Sequence, residues 1–172
     1  MARDYTPNNW PQLKTGVYVE LAEFLDQRSV AVDLEAQDKP SALAALVELA
    51  ARCGSFTASE GIIAALMERE DLVSTGIGHC IAVPHCKTPE LDKLMVAVAR
   101  CKEPVEFGSL DGQPVKIFFL LIAPQSAANT HLKALAKIAR FAKNPDTRKS
   151  FMEAEGAEGL FQCVLEHDKL IS

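Results

Sequence analysis

The sequence predicts an α/β fold, a single-domain three-layer sandwich in which helices flank a mixed, largely parallel sheet. Its composition is 48% hydrophobic but only 6% aromatic, which suits helices packed over a buried sheet better than an all-β sandwich. Short apolar segments also alternate with helix-like segments, as they do in sheets with helical connections. A chain of 172 residues buries enough surface to form one stable domain.

Residues 1–16 are expected to form a flexible N-terminal arm, because they are polar and carry Pro7 and Pro11. The folded domain is therefore expected to comprise residues 17–172. It should open with a short helix over residues 17–25 and a half-buried strand over residues 29–34, where apolar and polar positions alternate.

Two helices are predicted next. Asp38 precedes a proline in the first turn of an apolar-periodic segment, so we expect a helix that starts there and ends at Gly54. Thr57 and Glu60 have the spacing of a capping box and predict a second helix that runs to Arg69. This helix would bring Arg69 to the following glycine turn.

The glycine turn, residues 76–78, is not a nucleotide-binding loop. The third glycine of the dinucleotide fingerprint is replaced by Ile81, and no Gly-Lys-Ser/Thr sequence follows.

Three apolar strands are then predicted over residues 80–83, 93–101 and 115–123. The last is almost wholly apolar, so we expect it at the centre of the sheet, buried on both faces.

The remaining chain is predicted to be helical. A helix should begin at Asn129 or Thr130, and Asn144 followed by proline should cap the next helix. A last helix is expected over residues 157–167. The buried stripe of the first of these helices is expected to comprise Leu132, Leu135, Ala136 and Ala139.

Charge and cysteine content restrict the partners and the compartment. The net charge is −5, and lysines and arginines do not cluster, so we expect no nucleic-acid partner. The sequence shows no signal peptide and no apolar run of about 20 residues, so we expect a cytoplasmic protein without direct membrane insertion. The 5 cysteines include no Cys-x-x-Cys pair, which favours free thiols.

His85 is the candidate reactive residue. Pro84 should end the preceding strand and hold the imidazole rigidly, and His131 follows the carboxyl end of the apolar strand over residues 115–123. Ligands gather at such strand ends in α/β folds, so the two histidines are expected to meet. A hydrogen-bonded loop histidine and a helix-capping histidine are the alternative interpretations from the residues alone.

A neutral imidazole is nucleophilic near neutral pH and can carry a phosphoryl group without a metal or cofactor. Phosphoryl transfer requires positive or hydrogen-bonding groups around the phosphate oxygens. Arg69, Ser74, Thr75 and His131 are candidates for these groups.

Two other chemistries fit less well. A metal site built from His79, Cys80, His85 and Cys86 has no recognised zinc spacing, so no metal is expected. Hydrolysis would require an activated nucleophile, yet there is no Gly-x-Ser-x-Gly motif and Cys86 should point away from His85 along a strand.

Several sequence blocks match a known family in order and spacing over about residues 20–168. They are Arg69-Glu70, Ser74-Thr75-Gly76-Ile77-Gly78, Ile81-Ala82-Val83-Pro84-His85, Asp111-Gly112-x-Pro114-Val115, Phe118-Phe119-Leu120-Leu121, Ala123-Pro124 and His131-Leu132-x-x-Leu135. With these blocks the chain resembles the enzyme IIA component of the bacterial phosphoenolpyruvate-dependent phosphotransferase system, of the fructose/mannitol/nitrogen-regulatory type. Residues 17–172 would form this type-2 domain.

The resemblance implies that His85 accepts a phosphoryl group, as a tele-phosphohistidine, from an HPr-like phosphocarrier protein. His131 would support the imidazole and Arg69 would neutralise phosphoryl charge, while Ser74 and Thr75 would line the site. Such a protein is a phosphotransferase component with a covalent intermediate and not a stand-alone catalyst.

The resemblance also places further residues near the site. Lys87 stands where a basic residue is usual and would contact phosphate or an acidic partner. His79 would lie close enough to perturb the pKa of His85, and Cys86 replaces a small residue and would add redox sensitivity. We also expect an apolar, weakly charged rim, because a phosphocarrier must dock against its donor and its acceptor.

Residues 131–140 are most similar to the nitrogen-regulatory branch of the family. Its members change partners, such as transporters and sensor proteins, with their phosphorylation state. The alternatives are a sugar-specific enzyme IIA that passes the phosphoryl group to an enzyme IIB, and a binding module that is never phosphorylated.

Overall fold

The computed structural model describes residues 19–171, so the arm predicted for residues 1–16 lies outside the described residues. A 3-10 turn at Leu21–Glu23 precedes the first strand. The strands are β1 (Leu25–Leu34), β2 (Gly76–Gly78), β3 (Ile81–Ala82), β4 (His85–Thr88), β5 (Met95–Val105) and β6 (Val115–Pro124). The helices are α1 (Lys39–Ala51), α2 (Glu60–Leu72), α3 (Ala128–Lys143), α4 (Pro145–Glu153) and α5 (Gly156–Leu170).

The strands form one six-stranded sheet in the order β1-β5-β6-β3-β2, and β4 also pairs with β6. The pairs β1–β5, β3–β6 and β4–β6 are parallel, whereas β5–β6 and β2–β3 are antiparallel. Every residue of β6 except Lys116 is buried, which confirms the prediction of a central strand. The sheet is thus mixed and largely parallel.

Alternate residues of the central strands pack into two separate hydrophobic cores, which confirms the three-layer architecture. On one face, Phe118 and Leu120 of β6 pack with the buried side of α1 and α2. On the other, Phe119 and Leu121 pack with α3, α4 and α5. The aromatic cluster of this second core comprises Phe119, Phe141 and Phe151, with ring centroids 5.7–6.1 Å apart.

Helix caps agree with the sequence at two of three positions. Asp38 caps α1 in a capping box with Ser41, and the Asn144 side chain accepts two backbone N–H bonds at the start of α4. The predicted Thr57 cap of α2 is wrong. Ser59 is the N-cap, with its hydroxyl accepting from the Ile62 N–H at 3.1 Å, because the helix begins at Glu60 itself.

The N-terminal elements also differ from the prediction. A short helix was predicted over residues 17–25, but within the described part of this range the structure has a 3-10 turn at Leu21–Glu23. Strand β1 begins at Leu25, four residues before the predicted start at residue 29. The extra strand length is stabilised by pairing of Leu25 with Val96 in β5, a long-range contact that local alternation does not reveal.

The predicted buried stripe of α3 is wrong. Leu132 is 67% exposed and Ala136 is exposed, whereas the buried face carries His131, Ala134 and Ile138. Apolar residues occur on two faces of this helix, and packing of Phe141 against the aromatic cluster selects the buried one. No helix within residues 19–171 is both long and apolar enough to cross a membrane.

Candidate functional site

A tight hairpin forms one wall of the site. The predicted glycine turn is itself the strand β2, and the reversal lies at His79 and Cys80, which both have positive φ (55° and 62°), as in the hairpin turns that match strand twist. Gly76 has no room for a side chain, because a Cβ there would lie 2.4 Å from the Ser109 Oγ. The Leu110 N–H donates to the Gly76 carbonyl at 3.0 Å and holds the neighbouring loop against the hairpin.

His85 follows the carboxyl end of β3, as predicted, but it is also the first residue of a further strand, β4, that the sequence did not predict. Pro84 ends β3 because it has no N–H to donate. Its carbonyl still accepts from the Leu121 N–H at 3.0 Å, which keeps the chain against β6, and His85 then pairs in register with Leu121. The imidazole is therefore mounted on a paired strand next to the central strand.

Both nitrogens of the half-buried His85 ring have partners. Nδ1 lies 2.8 Å from the Val83 carbonyl, and the Arg69 Nε–H donates to Nε2 at 3.1 Å. A carbonyl only accepts and a guanidinium only donates, so this pair of contacts selects the neutral ring with its proton on Nδ1 and its lone pair on Nε2. Burial lowers the pKa of His85, assisted by the Arg69 charge and opposed by the Val83 bond and Glu70.

His131, in the first turn of α3, meets His85 as the sequence predicts. The ring centroids are 5.4 Å apart and the planes are inclined at 68°. His131 is 6% exposed, and its buried Nε2 has no hydrogen-bond partner among residues 19–171. Burial lowers the pKa of His131 to about 4, and electrostatic interactions with His85 and Lys87 act in the same direction.

Arg69 reaches the site from the last turn of α2. Its Nη1 donates to the Val73 carbonyl at 3.0 Å, which fixes the guanidinium while Nε bonds to His85. The structure thus brings together Arg69, His85 and His131 from a helix end, a strand and a helix start.

The hydroxyls of Ser74 and Thr75 bond to the surrounding scaffold. Ser74 Oγ donates to the Phe107 carbonyl at 3.2 Å, and the buried Thr75 Oγ1 donates to the Glu70 carboxylate at 2.5 Å. A direct role of these two residues in binding a phosphoryl group stays a prediction.

Lys87 is exposed and lies two residues beyond His85 in β4, so both side chains project from the same face of the strand. His79 is exposed at the hairpin turn, where its N–H donates to the Asp111 carboxylate at 2.9 Å. His79 is not among the groups that shift the pKa of His85. Its predicted place in the site stays a prediction.

The structure separates the side chains of the alternative metal site. Cys86 is buried in the core beside α1 and α2, on the face of β4 opposite to His85, as strand geometry predicts. Burial raises the pKa of Cys86 to about 12, so the reactive thiolate that redox sensitivity requires is disfavoured. Within residues 19–171, no group of three or more His, Cys, Asp or Glu side chains is arranged to hold a metal ion.

Sequence reasoning missed the role of Glu70. Its buried carboxylate accepts from the Thr75 N–H and hydroxyl and forms an ion pair with Lys39 at 2.9 Å. The available signal was an acidic residue near the end of a helix, in line with the buried positions Ile62 and Leu66 and five positions before a threonine in a glycine-rich segment.

Comparisons with known proteins agree with the resemblance seen in the sequence. Residues 23–167 match the family model described as "Phosphoenolpyruvate-dependent sugar phosphotransferase system, EIIA 2". A nitrogen regulatory protein of Bradyrhizobium diazoefficiens is 40% identical over 122 residues, which are 70% of this chain and 80% of that protein.

A fructose-specific EIIABC component of Bacillus subtilis is 31% identical over 151 residues, which cover 88% of this chain but only 24% of that protein. The crystal structure of the nitrogen regulatory protein IIA-Ntr of Neisseria meningitidis is 30% identical, with a TM-score of 0.78 over 84% of this chain and 98% of that one. The chain therefore belongs to the EIIA 2 family of the phosphoenolpyruvate-dependent sugar phosphotransferase system.

Proposed function

We propose that this protein is a cytoplasmic phosphohistidine carrier that accepts a phosphoryl group on His85 from an HPr-like phosphocarrier and acts as a nitrogen or metabolic regulator through its phosphorylation state. The observation that carries the proposal is the hydrogen bonding of His85, which keeps the proton on Nδ1 and the lone pair on Nε2. That nitrogen is the nucleophile, and its product is the tele-phosphohistidine.

The transfer step needs no proton to cross between the proteins. The Nε2 lone pair forms the new N–P bond while the donor's N–P bond breaks and its electron pair returns to the donor imidazole. His85 keeps its Nδ1 proton, and the positive charge that develops on its ring is stabilised by the Val83 carbonyl at 2.8 Å.

Arg69 and His131 serve the entering phosphoryl group. The Arg69 guanidinium lies at the reacting nitrogen, and a small side-chain movement would transfer its N–H donors to the phosphoryl oxygens. His131 Nε2 lacks a partner among residues 19–171 and lies beside the His85 ring, so it is placed to bond a phosphoryl oxygen.

An apolar rim around the site supports docking of partner proteins. Leu72, the last residue of α2, and Val73 lie three and four residues after Arg69, and they are 75% and 60% exposed. Leu132 (67%) follows His131, and Leu110 (72%) lies on the loop bonded to Gly76. Exposed apolar side chains grouped around a polar site are typical of protein interfaces.

A phosphoryl group would add negative charge inside this rim and change which partner docks there. We assign the regulatory role because a nitrogen regulatory protein matches this chain at 40% identity over 80% of its own length. The downstream partner would be a transporter or a sensor protein.

A second candidate is a sugar-specific enzyme IIA that passes the phosphoryl group to an enzyme IIB. It is supported by the 31% identity to a fructose-specific EIIABC component, in which the matching segment is part of a longer chain. The chemistry at His85 would be the same, and only the acceptor would differ.

The test is reconstitution with phosphoenolpyruvate, enzyme I and HPr, followed by intact-mass measurement and a check of acid lability. We expect one acid-labile phosphoryl group on the wild type and none on His85→Ala. An unmodified wild type would leave only the binding-module alternative. A chase with candidate IIB proteins separates the two roles, since rapid loss of the label to one of them indicates sugar transport.

A further inference from the structure

We propose that the ion pair between the partly buried Lys39 and the buried Glu70 carboxylate is a positioning device that sets the tautomer and orientation of His85 through Thr75 and Val83. This inference rests on the proposed phosphoacceptor role of His85 for its functional meaning, but its structural part can be measured without phosphorylation. Neither charged residue touches the imidazole, so both act through other groups.

Glu70 is the start of the connection. Its side chain is 1% exposed, and it accepts from the Thr75 N–H at 3.0 and 3.1 Å and from the Thr75 hydroxyl at 2.5 Å. Lys39, at the start of α1, supplies the opposite charge at 2.9 Å. A buried carboxylate with this many partners is strongly held, because losing one partner leaves an uncompensated charge.

The connection continues through the backbone to the imidazole. The Thr75 carbonyl accepts from the Val83 N–H at 2.9 Å, and the Val83 carbonyl accepts the Nδ1–H of His85 at 2.8 Å. Hydrogen bonds, together with the backbone of Thr75 and Val83, thus connect Lys39 to the His85 ring. Since the Val83 carbonyl selects the Nδ1–H tautomer, whatever fixes that carbonyl also fixes which nitrogen keeps the lone pair.

Glu70 also fixes the second partner of the ring. Arg69 is its neighbour in α2, and Arg69 donates to the Val73 carbonyl in the segment that Glu70 ties down through Thr75. Both groups that contact the imidazole, the Val83 carbonyl and the Arg69 Nε, are therefore positioned from one carboxylate. Its negative charge also opposes the effect of burial on the pKa of His85.

Lys39 holds the carboxylate from the other helix. Its Nζ lies 4.8 Å from the centre of the Phe107 ring, and the Phe107 carbonyl accepts from the Ser74 hydroxyl. The lysine thus joins α1 to the loop and hairpin that surround the site. Removing its charge should loosen the same segment that removal of the Glu70 charge loosens.

An ion pair that is more deeply buried than Lys39–Glu70 provides a control. Lys137 and Asp168 lie 2.6 Å apart with side chains 6% and 1% exposed, and they join α3 to α5 and to Val19 and Ala22. Loss of this pair should destabilise the fold at least as much as loss of the Lys39–Glu70 pair. No hydrogen bond described here connects it to Val83 or His85.

The experiment compares Glu70→Gln, Lys39→Met and the milder Thr75→Val with the control Asp168→Asn in the full-length chain. Nitrogen-15 NMR of the His85 ring in the unphosphorylated protein, at a pH where the ring is neutral, reports the tautomer. We expect mainly the Nδ1–H form in the wild type and the control, and a mixture of tautomers in the three test variants. The phosphorylation rate at saturating HPr should fall about tenfold to a hundredfold in Glu70→Gln and stay within about twofold in the control.

Lys39→Arg should keep both the wild-type tautomer of His85 and the wild-type phosphorylation rate, because arginine retains the positive charge. Test variants that keep the wild-type tautomer overturn the inference, whatever their phosphorylation rate, and so does a control that shifts the tautomer equally. If Glu70→Gln does not fold, Lys39→Met and Thr75→Val decide. A wild type that HPr does not phosphorylate would refute the proposed function while leaving the tautomer measurement decisive for the positioning role.

Discussion

His85 and His131 are the same residue type with ring centroids 5.4 Å apart, yet their surroundings prepare them for different tasks. Both nitrogens of His85 are bonded, by a carbonyl that fixes its proton and by a guanidinium at its lone pair. His131 is nearly fully buried, and its Nε2 has no partner among residues 19–171. The neighbouring groups thus distinguish the two rings, and they are the reason why His85, and not His131, is the proposed nucleophile.

The largest expected effects come from replacing each histidine in turn, which tests whether the two rings have different roles. His85→Gln should abolish the acid-labile adduct completely, because the nucleophile is lost. His131→Gln should retain it with a rate about a hundredfold lower, since a group that stabilises the transferring phosphoryl is lost. Quenched-flow transfer from phosphorylated HPr measures both, with His167→Gln on α5 as the control that should remain at the wild-type rate. An adduct on the His85 variant would refute the assignment.

Stability against pH tests how strongly His131 is kept neutral. Its pKa is about 4 in the fold against 6.5 for a free side chain, so the unfolded state binds more protons between these values. The free energy of unfolding should be highest above pH of about 6.5 and should fall by about 3 kcal/mol as the pH decreases toward 4. The lowered pKa of His85 acts in the same direction.

Urea unfolding at a series of pH values in this window measures the effect. His131→Gln should flatten the dependence, and Leu132→Gln, an exposed change on the same helix, should retain the wild-type slope. Equal slopes for the two variants would show that His131 is not the titrating group.

Arg69 distinguishes the two imidazoles because, of these two rings, it donates a hydrogen bond to His85 within residues 19–171 and none to His131. Arg69→Gln should slow phosphorylation about tenfold to a hundredfold, and Arg69→Lys should recover only part of the loss, because lysine lacks the planar fork that binds phosphoryl oxygens. Single-turnover rates at saturating HPr provide the measurement. Arg100→Gln removes an arginine that, among residues 19–171, donates to the Phe151 and Met152 carbonyls, and this change should not slow transfer.

Lys87 should give the smallest effect. Lys87→Glu is expected to lower kcat/KM for phosphorylated HPr a few-fold, through loss of electrostatic steering, and the difference should shrink as salt is added. It should also raise the pKa of His131, because the lysine charge now lowers it. Lys149→Glu on α4 is the control for net charge, and a salt-independent loss at Lys87 would argue against steering.

Much of the fold was predictable because local signals and tertiary packing agree. The Asp38 cap, the Asn144 cap and the buried central strand follow from residue types at fixed spacing. The meeting of His85 and His131 was predictable because each follows the carboxyl end of one of two parallel strands, β3 and β6. That His85 and His131 meet follows from topology alone.

The remainder depends on contacts that no local pattern contains. The buried face of α3 is chosen by aromatic packing of Phe141, and the continuation of the strand at His85 depends on the Pro84 carbonyl accepting from Leu121. Glu70 could not be assigned because its partners, Lys39 and Thr75, converge only in the folded chain. Sequence patterns identify candidate groups, whereas their hydrogen-bond partners require the structure.

The orientation of α3 has a consequence for signalling. Consecutive helical residues point about 100° apart, so His131 faces the His85 ring while Leu132 is 67% exposed to solvent. A phosphoryl group that engages His131 from inside would press on the same backbone turn that a partner grips from outside at Leu132. If His85 is phosphorylated as proposed, this one turn of helix would contact the phosphoryl group through His131 and the partner through Leu132.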